Sequence, residues 1–256
     1  MARTGTILTM GGGGFSMEPE NPLLDDFLLS LATRRRGAGG LPKVCFVPTA
    51  SGDAESYVDR FVEAFAGRAE TSSLRLFHLS ELAEQGEDID LRAFVLAQDV
   101  IYVGGGSTAN LLAVWRLHDL DDILAEAAEQ GVVLAGISAG MNCWFESSVT
   151  DSFGPLAGLP DGLGFLAGSA CPHYDGEAER RPTYLDLVGT RALASGYAAE
   201  DGCALLFRDG ELVEAVASRL DARAFRVHLA GDGLDVLDGV EAPDVAESPV
   251  DVRYLG

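Results

Sequence analysis

The sequence predicts an α/β fold, a mostly parallel sheet with helices on both faces, and three observations carry that expectation. Several short runs are almost continuously apolar, as strands buried on both faces are. The segments between them carry apolar residues at helical spacing, acidic residues early and glycine at the end. Of the 256 residues 47% are apolar, enough for one substantial core, so residues 1–256 are expected to form a single domain.

The elements follow in order. Strands are predicted at "TILTM" (Thr6–Met10), "KVCFVPT" (Lys43–Thr49), "SLRLFHL" (Ser73–Leu79), "DVIYVGG" (Asp99–Gly105) and "GVVLAGI" (Gly131–Ile137). The helix "NPLLDDFLLSLATRRRG" has Pro near its start, a basic last turn and a final Gly. "DAESYVDRFVEAFAG" and "LDDILAEAAEQG" carry Asp or Glu early and Gly at the end, and another helix opens with Ser107 or Thr108 as N-cap. "AGMNCWFESS" reads as a helix after the fifth strand, and "SVTDSFGPLAGLPDGLG" as a loop or a change of sheet direction. Beyond it come a strand near "LGFLAGSACPHY", a helix from about Pro182 to Ser195, and short strands at "CALLF", "ELVEAVA" and "AFRVHL". The last alternates apolar and polar residues, which predicts antiparallel strands toward the C-terminus.

Composition narrows the function. A net charge of −22 argues against nucleic acid and against an anionic membrane surface, since both are bound by Lys and Arg displacing counterions. The N-terminal "MARTGTILTMGGGG" lacks a signal-peptide apolar region, and no apolar run is long enough to span a bilayer, so a cytoplasmic location is expected. Cys45, Cys143, Cys171 and Cys203 have no zinc-site spacing and read as buried free thiols. Cys171, two residues before His173, leaves a thiolate role open. Neither a metal nor a cofactor is expected.

Two motifs carry chemistry. Gly136-Ile137-Ser138-Ala139-Gly140 fits G-x-S-x-G between a buried strand and a helix, the context in which a strained turn lifts a serine hydroxyl above the strand ends. The same small residues would also suit a crowded turn with no chemistry. Gly104-Gly105-Gly106, between a strand and a helix, can aim backbone N–H groups at a phosphate or a developing oxyanion. The Gly11–Gly14 run fits neither G-x-G-x-x-G nor a P-loop.

A serine nucleophile needs a base. Of the four histidines, His78 and His228 fall in predicted strands and His118 at a helix end, whereas His173 lies in the loop-like "CPHYDGEAERR". Its orienting acid could be Glu200, Asp201 or Asp151. A rival order, Ser138, then Asp201 or Asp209, then His228, would match α/β-hydrolases.

"YVGGGSTANLLAVWR", "GISAGMNCW", "PHYD" followed by "ERR", and "EDGCAL", in that order, resemble the dipeptidase E (aspartyl dipeptidase) family, whose relatives include cyanophycinase. The resemblance is firmest from Asp99 to about Phe207. It implies a flavodoxin-like fold related to class I glutamine amidotransferases, and metal-free peptide hydrolysis by a Ser-His-acid set. It makes Ser138 the nucleophile, His173 the general base, Asp201 the acid and Asp151 a further functional aspartate. It assigns the oxyanion hole to Ala139 N–H with Gly105 or Gly106. Specificity for an N-terminal Asp would need a cation, and Arg180 and Arg181 lie where the family has such an arginine, though both also suit a solvated helix start. Ser107 stands where the family carries Asn, a departure that bears on specificity. The expected partner is a small peptide substrate; the sequence leaves a homodimer open. An esterase or amidase using the same serine, and an anion-binding protein without catalysis, are the alternatives.

Overall fold

A computed structural model describes residues 5–36, 40–79, 90–230 and 245–256. Residues 1–4, and Gly37 at the end of the first predicted helix, lie outside the described residues. The chain begins with β1 (Thr6–Met10), α1 (Gly14–Met17), α2 (Leu23–Arg36), β2 (Lys43–Val47), α3 (Glu55–Phe65) and β3 (Glu70–Ser73). It continues with α4 (Leu91–Leu96), β4 (Val100–Val103), α5 (Thr108–Leu117), α6 (Leu120–Glu129), β5 (Val133–Ile137) and α7 (Ala139–Asn142). The remaining elements are β6 (Phe145–Thr150), β7 (Ala157–Leu159), β8 (Leu166–Cys171), α8 (Arg180–Gly189) and β9 (Gly196–Ala199), then β10 (Cys203–Arg208), β11 (Glu211–Ala217), β12 (Ala224–Leu229), β13 (Val245–Pro249) and β14 (Val252–Tyr254).

Strands β1, β5, β4, β2 and β3 pair in parallel in that spatial order. Every residue of β4 and β5 is buried, the outcome that their continuous apolar runs predict. Successive residues serve opposite faces, as the strand period of two requires. Cys45, Val47, Ile101, Val103 and Leu134 join the core under α5 and α6. Val44, Phe46, Val100, Tyr102 and Ala135 pack with Phe15, Phe61 and Phe65 on the other face. Ile101 and Leu134 are fully excluded from water, a burial worth about 2 kcal/mol for each side chain. Beside β1 the sheet turns antiparallel through β10 and β11, with β14 parallel to β11 at the edge.

The third predicted strand is displaced. Glu70–Ser73 forms β3, and Leu76–His78 is a 3₁₀ turn. An edge strand needs only its backbone ladder, here from Lys43↔Glu70 to Phe46↔Ser73, so polar residues suffice. Buried Leu74 and Leu76 instead anchor the turn, whose Phe77 N–H donates to the Asp53 carboxylate at 2.8 Å. The helix after Ser138 is also shorter than predicted, because Phe145 enters the shared core and Phe145–Thr150 opens a second sheet. Its six strands run in the order β13-β12-β9-β8-β6-β7. The segment after Ser147, read as a loop or a change of sheet direction, contains the end of β6 and all of β7, which pair antiparallel, and the helix expected from Pro182 to Ser195 spans Arg180–Gly189. Among the described residues, no helix is long and apolar enough to cross a membrane.

Candidate active site

The carboxyl ends of β1, β4 and β5 meet where ligands bind in open α/β sheets. At the end of β5 the chain turns so sharply into α7 that Ser138 adopts φ 58°, ψ −112°, a strained conformation for a residue with a Cβ. Both flanking glycines are needed there. A Cβ on Gly136 would stand 2.2 Å from the Gly140 carbonyl oxygen, and one on Gly140 would stand 2.4 Å from that of Val103. The Ser138 N–H donates to the Met10 carbonyl at 3.1 Å and ties the turn to β1.

The triple glycine after β4 lies against this turn. A Cβ on Gly105 would fall 3.3 Å from that of Ser138, and one on Gly106 only 2.2 Å from the Ala50 carbonyl oxygen. The Gly105 N–H donates to the Tyr57 hydroxyl at 3.3 Å. Gly106 and Ala139, by contrast, both line the cleft. Ala139 opens α7, where a helix leaves its N–H groups without intrahelical partners. Ser107 caps α5, its Oγ accepting the Asn110 N–H at 3.3 Å, and it lines the cleft as well.

His173 and Ser138 line one cavity of about 370 Å³. No hydrogen bond joins them among the described residues; such contacts are often loose before substrate binds. His173 Nδ1 lies 2.6 Å from Asp201 Oδ1, with the side chains 17% and 19% exposed. Glu200 turns away: its carboxylate accepts the Arg223 N–H at 2.8 Å, and burial holds its pKa above the usual carboxylate value. Asp151 follows β6 and lines the cleft, but does not reach His173 Nδ1. His228 is engaged in the second sheet, its Nε2 2.9 Å from Ser248 Oγ. The α/β-hydrolase order therefore has no geometric support.

Sequence reading missed what holds the pair in place. Gly11 and Gly12 let the chain leaving β1 approach it closely: a Cβ on Gly12 would sit 2.0 Å from Asp201 Oδ1 and 3.1 Å from His173 Nδ1. The His173 N–H donates to the Gly11 carbonyl at 3.2 Å, and the Gly202 N–H to that of Gly12 at 3.0 Å. Asp175 accepts the Asp201 N–H at 2.8 Å, and Arg219 bonds both the Asp201 carbonyl and Asp175. The run of four glycines was a signal for close backbone approach, and Asp175 closes the "PHYD" motif without a role assigned to it; nothing in the sequence marked Arg219.

The two candidate arginines separate. Arg180 lines the cleft and is 3% exposed. Arg181 points elsewhere, pairing with Glu247 at 2.6 Å and lying over Tyr174 and Phe225. All four cysteines are buried and free, and burial pushes the Cys45 thiol up to about 12 and raises Cys171 too. A thiolate role for Cys171 is thereby disfavoured. No group of His, Cys, Asp and Glu suited to a metal ion occurs among the described residues.

Comparison with known proteins gives this geometry a context. The chain is 49% identical over 250 residues to the uncharacterized peptidase YgaJ of Bacillus subtilis, covering 98% of this chain and 99% of that protein. It is 32% identical over 130 residues to Peptidase E of Haemophilus influenzae, covering 46% of this chain and 59% of that one. Among solved structures, a peptidase from an acI-B1 Actinobacterium superposes with a TM-score of 0.64 at 17% identity, covering 98% of this chain and 96% of that one. A Peptidase E candidate from Listeria monocytogenes gives 0.57 at 19% identity, covering 82% and 97%. Both share the mixed α/β, flavodoxin-like fold. Residues 7–215 match Peptidase family S51, and the chain belongs to that family of peptidases.

Proposed function

We propose that the protein is a serine peptidase that hydrolyses short peptides through a covalent acyl-enzyme, with Ser138 as nucleophile, His173 as general base and Asp201 as its orienting acid. The observation that carries this reading is a serine at φ 58° on a strand-to-helix turn, lining one cleft with a histidine whose Nδ1 is 2.6 Å from an aspartate. The Nδ1–H of His173 donates to the Asp201 carboxylate, so Nε2 is left to accept the Ser138 proton as Oγ attacks the scissile carbonyl. The imidazolium then gives that proton to the departing amine, and water repeats the sequence to release the acid.

The N–H groups of Gly106 and Ala139 are the donors for the oxyanion, in preference to Gly105, whose N–H serves Tyr57. Removing one such donor costs about two to three orders of magnitude in turnover. Ser107 supports the site chiefly as the cap of α5. Asp151 and Arg180 supply the charged wall of the cleft, and specificity for an N-terminal Asp would require the Arg180 guanidinium, which already carries Glu177. A cleft of about 370 Å³ suits a short peptide better than a folded protein.

The test is hydrolysis of a panel of aminoacyl p-nitroanilides and dipeptides by wild type and Ser138→Ala. Turnover that disappears in the variant, with labelling of the wild type by a serine-directed phosphonate, is expected. Equal turnover by both proteins would refute the assignment.

A further inference from the structure

Arg180 and Glu177 face each other at the start of α8, both lining the cleft with Ser138 and His173. They differ sharply in exposure: the Arg180 side chain is 4% exposed and that of Glu177 49%. The guanidinium edge is occupied on both nitrogens. Nε donates to Glu177 Oε2 at 3.2 Å, and Nη2 donates to Oε1 and Oε2, each at 3.0 Å. The Arg180 N–H also donates to the Glu177 carbonyl at 3.0 Å, which fixes the two residues in one turn.

This fork is the geometry by which arginine grips a carboxylate of any origin. A substrate carboxylate seeking the Nε–Nη2 edge of Arg180 would have to displace one that is already paired and tethered three residues away, which leaves it Nη1 alone. Asp151, on another part of the same wall, adds a second carboxylate. The charged wall thus sums to two acids against one guanidinium, and an acidic side chain entering it meets a cation whose charge is already countered. An uncharged or basic side chain meets no such penalty. Because Glu177 is the exposed partner and Arg180 the buried one, removing Glu177 leaves the cation in place with its fork open.

We propose that Glu177 is a specificity-determining residue: held on Arg180, it fills the place of a substrate carboxylate, so the cleft accepts peptides with an uncharged or basic N-terminal residue and discriminates against acidic ones. This rests on the peptidase reading of the same cleft.

Binding, measured by titration calorimetry in the Ser138→Ala background, separates recognition from turnover. The dipeptides Leu-Leu and Asp-Leu are compared on Ser138→Ala and on Ser138→Ala/Glu177→Ala, with Ser138→Ala/Glu177→Gln as a second variant that removes the charge but keeps the volume. The expected result is tighter binding of Leu-Leu by Ser138→Ala, and a shift of the Kd ratio toward Asp-Leu by about tenfold or more when Glu177 is replaced. Tighter binding of Asp-Leu by Ser138→Ala, or a ratio that neither replacement moves, would overturn the proposal. Failure of the peptidase reading looks different: neither dipeptide binds and wild type shows no Ser138-dependent turnover, which overturns both.

Discussion

Replacing Asp201 by Asn keeps the shape of the His173 partner and removes its charge. The contact is short, 2.6 Å, and both side chains are more than four-fifths withdrawn from water, so the carboxylate acts on the imidazole with little screening. An amide in its place stabilises the imidazolium less, and if its NH₂ faces Nδ1 it selects the tautomer whose Nε2 already bears a proton and cannot take another from Ser138. In serine peptidases built on such a triad the analogous substitution costs about 10⁴ in kcat, equivalent to about 5 kcal/mol in the barrier, with residual activity sustained by the oxyanion donors. Gly12 packs closely against the pair, leaving the amide no room to retreat. The expected outcome for Asp201→Asn is a fall of about three to four orders of magnitude in kcat, with Tm little changed. Glu200→Gln is the matched control: its carboxylate serves the Arg223 N–H, so kcat should stay within about threefold. Steady-state hydrolysis of the best p-nitroanilide, with melting curves for both variants, makes the comparison. If Asp201→Asn kept more than about a tenth of the activity while Glu200→Gln lost most of it, the orienting role of Asp201 would be refuted.

Other consequences follow from single residues. Asp25 is 2% exposed with Oδ1 unpartnered, and burial raises its pKa from 3.8 to about 7, against the lowering effects of the Phe15 backbone and Arg68. A carboxyl with a raised folded pKa contributes stability that is complete below 3.8 and lost as pH climbs through about 7. Asp25→Asn should therefore gain on wild type as pH rises, by up to about 4 kcal/mol at alkaline pH; urea unfolding at about pH 5 and about pH 8 would show a constant difference if this is wrong. Gly12→Ala drives a methyl into Asp201 Oδ1 and His173 Nδ1, whereas a methyl at Gly52, at φ +68°, meets open space. The first should abolish measurable hydrolysis, and the second should cost only about 1 kcal/mol of backbone strain, read from paired activity and unfolding assays. Arg181→Ala, outside the cleft, should leave kcat/KM within about twofold while losing about 1 kcal/mol of stability with its ring contacts and its pairing to Glu247. A large rise in KM would instead place Arg181 at the substrate.

The parallel sheet and the tight turn at Ser138 are written in local sequence patterns. Apolar runs such as "VIYV" and "VLAGI" can be satisfied only by burial on both faces, and glycine on each side of Ser138 answers a clash between neighbouring backbones. His173 and the acidic pair Glu200-Asp201 were legible as candidates for the same reason: few residues of the right chemistry fall in loops. What only the tertiary structure decided are choices between sequence neighbours. Glu200 and Asp201 are adjacent, as are Arg180 and Arg181, yet Asp201 meets His173 and Arg180 lines the cleft while Glu200 and Arg181 bond elsewhere. β3 escaped the sequence because an edge strand is held by backbone bonds and needs no apolar signature; β8 and β12 were legible as strands, but their assembly into a second sheet was not, because pairing between segments distant in the chain leaves no local pattern. The capture of Arg180 by Glu177 joins residues three apart in an ordinary acidic and basic stretch, and its meaning comes from burial: a guanidinium withdrawn from water and already paired presents different chemistry from the free cation that the same letters suggest.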